Sequence, residues 1–147
     1  MKMHKLRCAE VFFFFLLLLV VSCASSISPF NQKAYEYATS LKVEALALMD
    51  QATEPFQDHQ AEVQAFVTRV EKAYEYAKGL PKNEISTKQW QILKDPNRHL
   101  LGGFLKRWGE ESTLSRAFVQ EAQGLVADAF DTIIGLESGK IKPKSIQ

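Results

Sequence analysis

The most reactive side chains in this sequence of 147 residues are two thiols, Cys8 and Cys23, both close to its start. No cysteine follows, so the body of the chain has neither a disulfide framework nor a thiolate metal site, and its core must hold by packing. Two imidazoles remain beyond that point, His59 and His99. His59 stands three residues before Glu62, with Asp58 adjacent. A di-iron bundle instead places Glu before His at this spacing and repeats the pair on a second helix, which is missing here. The expected reading of Asp58, His59 and Glu62 is a solvated polar face. Met49 and His99 have the chemistry of axial haem ligands, but a methionine on an apolar helical stripe is expected in the core. The Cys-x-x-Cys-His attachment motif is also absent. There is no Gly-x-Ser-x-Gly, no phosphate-cradling glycine loop and no dinucleotide fingerprint. Glu110 and Glu111, and Asp128 with Asp131, are accounted for by helix ends and solvated faces. The sequence predicts no catalytic residue, no metal site and no cofactor.

One thiol has a telling context. Lys2, Lys5 and Arg7 form a positive leader, and residues 11–21 (VFFFFLLLLVV) are an unbroken apolar run within the ~7–15 residues of a signal-peptide h-region. As a helix this run reaches only about 16 Å, against a hydrocarbon core of about 30 Å. An export signal is therefore favoured over a permanent span, although Glu10 beside the run is an unusual neighbour. Val20-Val21-Ser22-Cys23 then resembles the lipobox of bacterial lipoproteins, over these four residues and the signal alone. That resemblance implies a diacylglyceryl group on the Cys23 thiol, cleavage just before it, and acylation of the new amine. It also implies a cell-envelope protein whose membrane partner is reached through the N-terminal lipid. Ala24 and Ser25 follow the cysteine without an aspartate, which by the same resemblance favours the outer over the inner membrane. The alternative is a plain signal peptide cut after Ser22, Ala24 or Ser25, giving a secreted protein.

Charge narrows the partners. Removing Lys2, Lys5, Arg7 and Glu10 with the leader takes the 18 basic and 17 acidic side chains to 15 and 16, a balance of −1. Such a domain lacks the broad positive field of non-specific nucleic-acid binding, so no nucleic-acid partner is expected. Hydrophobic content of 46% with 24% charged residues is that of a globular chain, not a disordered one.

The elements that position these residues read as helices. Residues 1–22 are assigned to the signal peptide, 23–28 to a tether, 29–139 to one helical domain and 140–147 to a mobile basic tail. Ser28-Pro29 has the form of an N-cap followed by a first-turn proline. Ala34, Ala38, Leu41, Ala45, Leu48 and Ala52 make a helical stripe that Leu46 and Met49 widen, ending near Pro55. A second helix is predicted over about 57–78, with Val63, Phe66, Val67, Val70, Ala73, Tyr74 and Ala77 as its stripe. Gly79 fits a left-handed stop before Pro81. Ser86-Thr87-Lys88-Gln89 resembles a capping box that starts a short third helix ending at Asp95-Pro96. The last helix is expected from Ser112 or Thr113, through Leu114, Phe118, Ala122, Leu125, Ala129, Ile133 and Leu136, to Ser138-Gly139. No strand signal appears. The fold class is all-α: an up-down bundle of three to four helices with its third segment broken.

Two segments invite a functional reading. Residues 33–38 (KAYEYA) recur at 72–77, at the start of one helix and the end of the next, and an antiparallel pair would bring them together as a tyrosine-rich packing layer. Residues 95–108 (DPNRHLLGGFLKRW) mix cations with aromatics around two glycines. Arg98, Phe104, Arg107 and Trp108 are the candidate partner-binding residues, since arginine and aromatic side chains concentrate at binding hot spots. The alternative is that Leu101, Phe104, Leu105 and Trp108 plug the bundle while the cations face water. The resulting expectation is a lipid-anchored, non-enzymatic helical domain that binds another macromolecule or has a structural role in the envelope. The alternative function is a secreted bundle carrying a small apolar ligand.

Overall fold

The computed structural model describes residues 30–141, and the chain there is all-helical. Five α-helices follow in order: α1 (Gln32–Asp50), α2 (Phe56–Gly79), α3 (Glu84–Lys94), α4 (Leu101–Glu111) and α5 (Arg116–Glu137), with a 3₁₀ turn at Gln51–Thr53. They form an up-down bundle of four columns, in which α3 and α4 share the third. α1 packs on α5 and α2, α3 packs on the same two, and α4 lies mainly on α3 and α2. Cys23, Ser28 and Pro29 lie outside the described residues, as do 142–147.

α1 starts later than Ser28-Pro29 suggests. Asn31 is its N-cap: the side-chain oxygen accepts from the Ala34 amide at 3.0 Å, satisfying a donor that has no partner within the helix. The predicted stripe is buried in full, Ala34, Ala38, Leu41, Ala45, Leu48 and Ala52 with Met49. Its four alanines keep that face short, so neighbouring helices can approach closely. α2 begins directly after Pro55, and Val63, Phe66, Val70, Ala73, Tyr74 and Ala77 face inward, whereas Val67 is exposed. Gly79 is not the left-handed stop. It remains in the helix, and the positive φ of this turn (58°) falls on Lys82.

Ser86 is not a cap either. α3 starts at Glu84, and Ser86 turns inward, donating to the buried carboxyl of Glu137. Asn83 donates through Nδ2 to that same carboxyl oxygen at 3.2 Å and to the Ala77 carbonyl at 3.0 Å. One polar knot thus ties the end of α2, the start of α3 and the end of α5. Close by, Tyr37 and Tyr76 meet edge to face at 5.5 Å, and the Tyr76 hydroxyl donates to Asn31 at 3.1 Å. The two KAYEYA copies do adjoin at this end, which holds the start of α1 and is termed proximal below.

At the distal end, Ser112 takes a φ of +66°, so the chain turns there and α5 starts only after the Ser115 cap. Ser112 accepts from the Phe56 amide at 2.8 Å, and the Leu114 amide donates to Ala52 at 2.7 Å. These bonds staple the α1–α2 turn to the α4–α5 turn. The phase of α5 also differs from expectation. Val119, Ala122, Val126, Phe130, Ile133 and Leu136 are buried, Phe118 and Ala129 are half-buried, and Leu125 is 49% exposed. α5 is apolar around much of its girth, so spacing alone does not choose between stripes one residue apart. After Gly139 (φ +71°), the Ile141 amide donates to Gly135 at 3.0 Å and its side chain fills the space a β-carbon there would occupy. The chain is therefore held through Ile141, one residue beyond the predicted start of the mobile tail.

Candidate functional site

A groove of about 660 Å³ opens between α4 and the first half of α5, closed below by the loop of residues 95–100. Its origin is local. Pro96 ends α3 by forcing Asp95 into an extended conformation (φ −67°, ψ 119°), and α4 restarts on a shifted axis. A β-carbon at Gly102 would overlap the Lys94 carbonyl, and one at Gly103 the Arg98 carbonyl. The glycine pair therefore lets the first turn of α4 press on the end of α3 and the loop. The cost in helix propensity is about 1 kcal/mol per glycine.

The floor of the groove is apolar. Phe104 and Phe118 stack with parallel rings 6.0 Å apart, beside Leu100, Ala122 and Leu125. Its rim is charged. The Arg107 guanidinium lies 4.2 Å from the centre of the Phe118 ring, and its Nε donates to Glu111 at 2.8 Å. Arg98 stands 3.8 Å from Asp95, and Lys106 stands 4.0 Å from Glu110. These pairs are half exposed, so each contributes at most about 0.5 kcal/mol and can exchange for a ligand's charge at little cost. His99 and Glu121 also line the rim.

Of the four residues singled out in the sequence, Arg98, Phe104 and Arg107 share this groove. Trp108 does not. It is fully buried at the distal end, edge-on to Phe56 at 5.4 Å, beside His59 at 5.5 Å, with Nε1 donating to the Glu54 carbonyl at 3.0 Å. Trp108 thus holds the bundle together and presents no surface. Sequence reasoning missed the opposite wall, Phe118, Ala122 and Leu125, because it assigned all three to the core. The signal was the doubled apolar stripe of α5, which is wider than a bundle helix can bury.

His59 bonds through Nε2 to Glu54 at 2.9 Å, and its Nδ1 lies 3.9 Å from Glu62. Met49 is fully buried in α1, whereas His99 is exposed on the groove, so the two do not face a common cavity. Among the described residues, no group of three His, Cys, Asp or Glu side chains is placed to hold a metal ion. The groove lining contains no hydroxyl or thiol nucleophile. It is an apolar trough with exchangeable charges along the edge. Lys78, at the proximal end, has its pKa raised by its hydrogen bond to Glu75 (3.1 Å) and the charge of that carboxylate. The chain matches no known family model, no curated protein and no solved structure.

Proposed function

We propose that this chain is exported, acylated on Cys23 and held at a membrane of the cell envelope, where its helical domain binds a macromolecular partner through the α4–α5 groove. The observation that carries the tether is Val20-Val21-Ser22-Cys23 directly after a positive leader and a short apolar run. Among the described residues no helix is long and apolar enough to cross a membrane, so attachment through a covalent lipid accords with the rest of the chain. Several acyl chains, at about 0.8 kcal/mol per buried CH₂, hold a protein far more durably than one myristate. The absence of aspartate after Cys23 favours the outer membrane.

Growth with radioactive palmitate tests this reading. Label in the wild type and none in Cys23→Ala supports it, and an unlabelled wild-type chain overturns it. For the groove, crosslinking through a photoreactive residue at position 125 in intact envelopes is expected to give one discrete adduct that Phe118→Asp removes. No adduct at 125 would refute binding there.

One observation favours a second reading, a carrier of a small apolar ligand. The groove's volume lies within the 300–1,000 Å³ usual for small-molecule sites. Native mass spectrometry of the purified chain is the discriminating measurement, since a carrier retains a ligand of discrete mass that Leu125→Asp or Phe118→Asp releases.

A further inference from the structure

The two ends of the bundle differ in their charged residues. At the proximal end stand Lys33, Lys78, Lys82 and Lys140, of which Lys33 pairs with Glu36 at 3.9 Å and Lys78 with Glu75 at 3.1 Å, beside the exposed Glu84 and the buried Glu137. The sequence adds Lys142 and Lys144 just beyond. At the distal end stand Asp50, Glu54, Asp58, Glu110 and Glu111, with Arg116 against Asp50 at 3.5 Å, Arg107 against Glu111 at 2.8 Å and Lys106 against Glu110 at 4.0 Å. The proximal end thus keeps Lys82 and Lys140 outside the ion pairs of the described residues, while carboxylates outnumber cations at the distal end.

The proximal end is also where the chain arrives from Cys23. Asn31 lies eight positions beyond that thiol, a reach of at most about 27 Å when fully extended. Phe30, immediately before the cap, leaves 63% of its surface in solvent while its ring touches Tyr35 at 6.1 Å. An exposed aromatic ring at the end that carries these lysines has the chemistry of an interfacial anchor, with the ring at headgroup level and an ammonium beside a phosphate.

We propose that the proximal end docks on an anionic bilayer, orienting the bundle with its carboxylate-rich end and the groove's mouth away from the lipid. The proposal rests on the tethering reading for how the end is brought to the membrane. The docking itself rests on charge and shape. Each lysine near an anionic surface strengthens attachment about fivefold, and the attraction fades beyond a Debye length of about 8 Å. The tether alone would let the domain tumble, whereas three or four such contacts hold one end down.

The test uses the full chain, purified in detergent from the membranes of its own cells. It is placed in nanodiscs of phosphatidylcholine alone or mixed with phosphatidylglycerol, and lysine acetylation rates are read by peptide mass spectrometry. Lys82 and Lys140 are expected to react at least ~3-fold more slowly on the anionic discs, with high salt restoring the rate. Lys106, in the distal half, is expected to react equally on both. Equal rates for Lys82 and Lys140 on the two discs overturn the docking. The mass of the Cys23 peptide in the same digest keeps the two readings apart: an acylated peptide with equal rates removes the docking and leaves the tether. If the peptide is unacylated the tether fails, and docking is then judged by pelleting the chain with anionic vesicles. Pelleting that falls at least ~10-fold in Lys33→Glu/Lys82→Glu/Lys140→Glu upholds docking, and a wild-type chain left in the supernatant overturns it.

Discussion

Ser86→Ala removes one oxygen atom from the surface-distant knot of Asn83, Ser86 and Glu137, each only 3% exposed. The Glu137 carboxyl oxygen accepts from both Ser86 and Asn83, and with the serine gone it keeps one of these two donors. Losing one donor to a buried acceptor costs about 1–3 kcal/mol, so the expected loss is about 2 kcal/mol. For a domain of this size that corresponds to a melting temperature lower by about 8 °C. The diagnostic is the same substitution in a Glu137→Met background. There the acceptor no longer exists, the serine hydroxyl falls back on the carbonyl of Lys82 or Asn83 just before its helix, and Ser86→Ala is expected to change stability by less than about 0.5 kcal/mol. Urea unfolding of the four chains gives the coupling directly, expected at about 1.5 kcal/mol or more. If Ser86→Ala costs the same in both backgrounds, the knot is not an interacting unit and the reasoning fails.

Three further substitutions probe the fold and the groove. Val126→Ala, in the buried stripe of α5, is expected to cost about 2 kcal/mol, while the larger truncation Leu125→Ala, at the half-exposed groove wall, costs under about 0.5 kcal/mol; the reverse order in urea melts would put α5 in the other phase. Gly103→Ala must push the Arg98 carbonyl aside and is expected to lose about 1–3 kcal/mol, whereas Gly124→Ala, with open space around it, gains about 0.5–1 kcal/mol by thermal melting. Asn31→Ala removes the α1 cap and the acceptor of the Tyr76 hydroxyl, and is expected to cost about 1–2 kcal/mol, with amide exchange accelerated first at Ala34.

Most of this architecture was legible because strong local rules agree with tertiary packing. The α1 stripe needed only a four-three spacing of small apolar residues, and the KAYEYA copies needed only antiparallel geometry to meet. The misreadings share a physical cause. At Ser28, Ser86 and Ser112 the sequence offered a good capping residue, yet long-range packing decides where each helix starts. Ser86 is claimed by Glu137, a residue 51 positions away; Asn31 and Ser115 cap α1 and α5 through their side chains, while Asn83, in the cap position of α3, is also claimed by Glu137 and makes no cap bond. Gly79 likewise had the expected stop chemistry, but the positive φ went to Lys82 because Leu80 and Pro81 continue as an extended turn. Long-range claims on a polar side chain leave no trace in its own neighbourhood.

The groove was half legible for a related reason. Periodicity identifies an apolar face but not how much of it a partner helix covers. Had α3 continued without a break, a helix from residue 84 to 111 would span about 42 Å and run beside α5 along its whole length. Phe118 and Leu125 would then be ordinary core. Instead Pro96 stops the helix, the Asp95 carboxylate accepts from the Asn97 amide at 2.9 Å to turn the chain, and the glycines seat α4 over the end of α3. α4 therefore leans toward α2, and the stripe it would have covered on α5 lines a trough. The same four residues that break the third column, Asp95, Pro96, Gly102 and Gly103, also open the groove. Restoring helix there, by Pro96→Ala with Gly102→Ala, is expected to destabilise the native offset while closing the groove. A variant that folds but no longer crosslinks through position 125 would separate the trough from the scaffold that makes it.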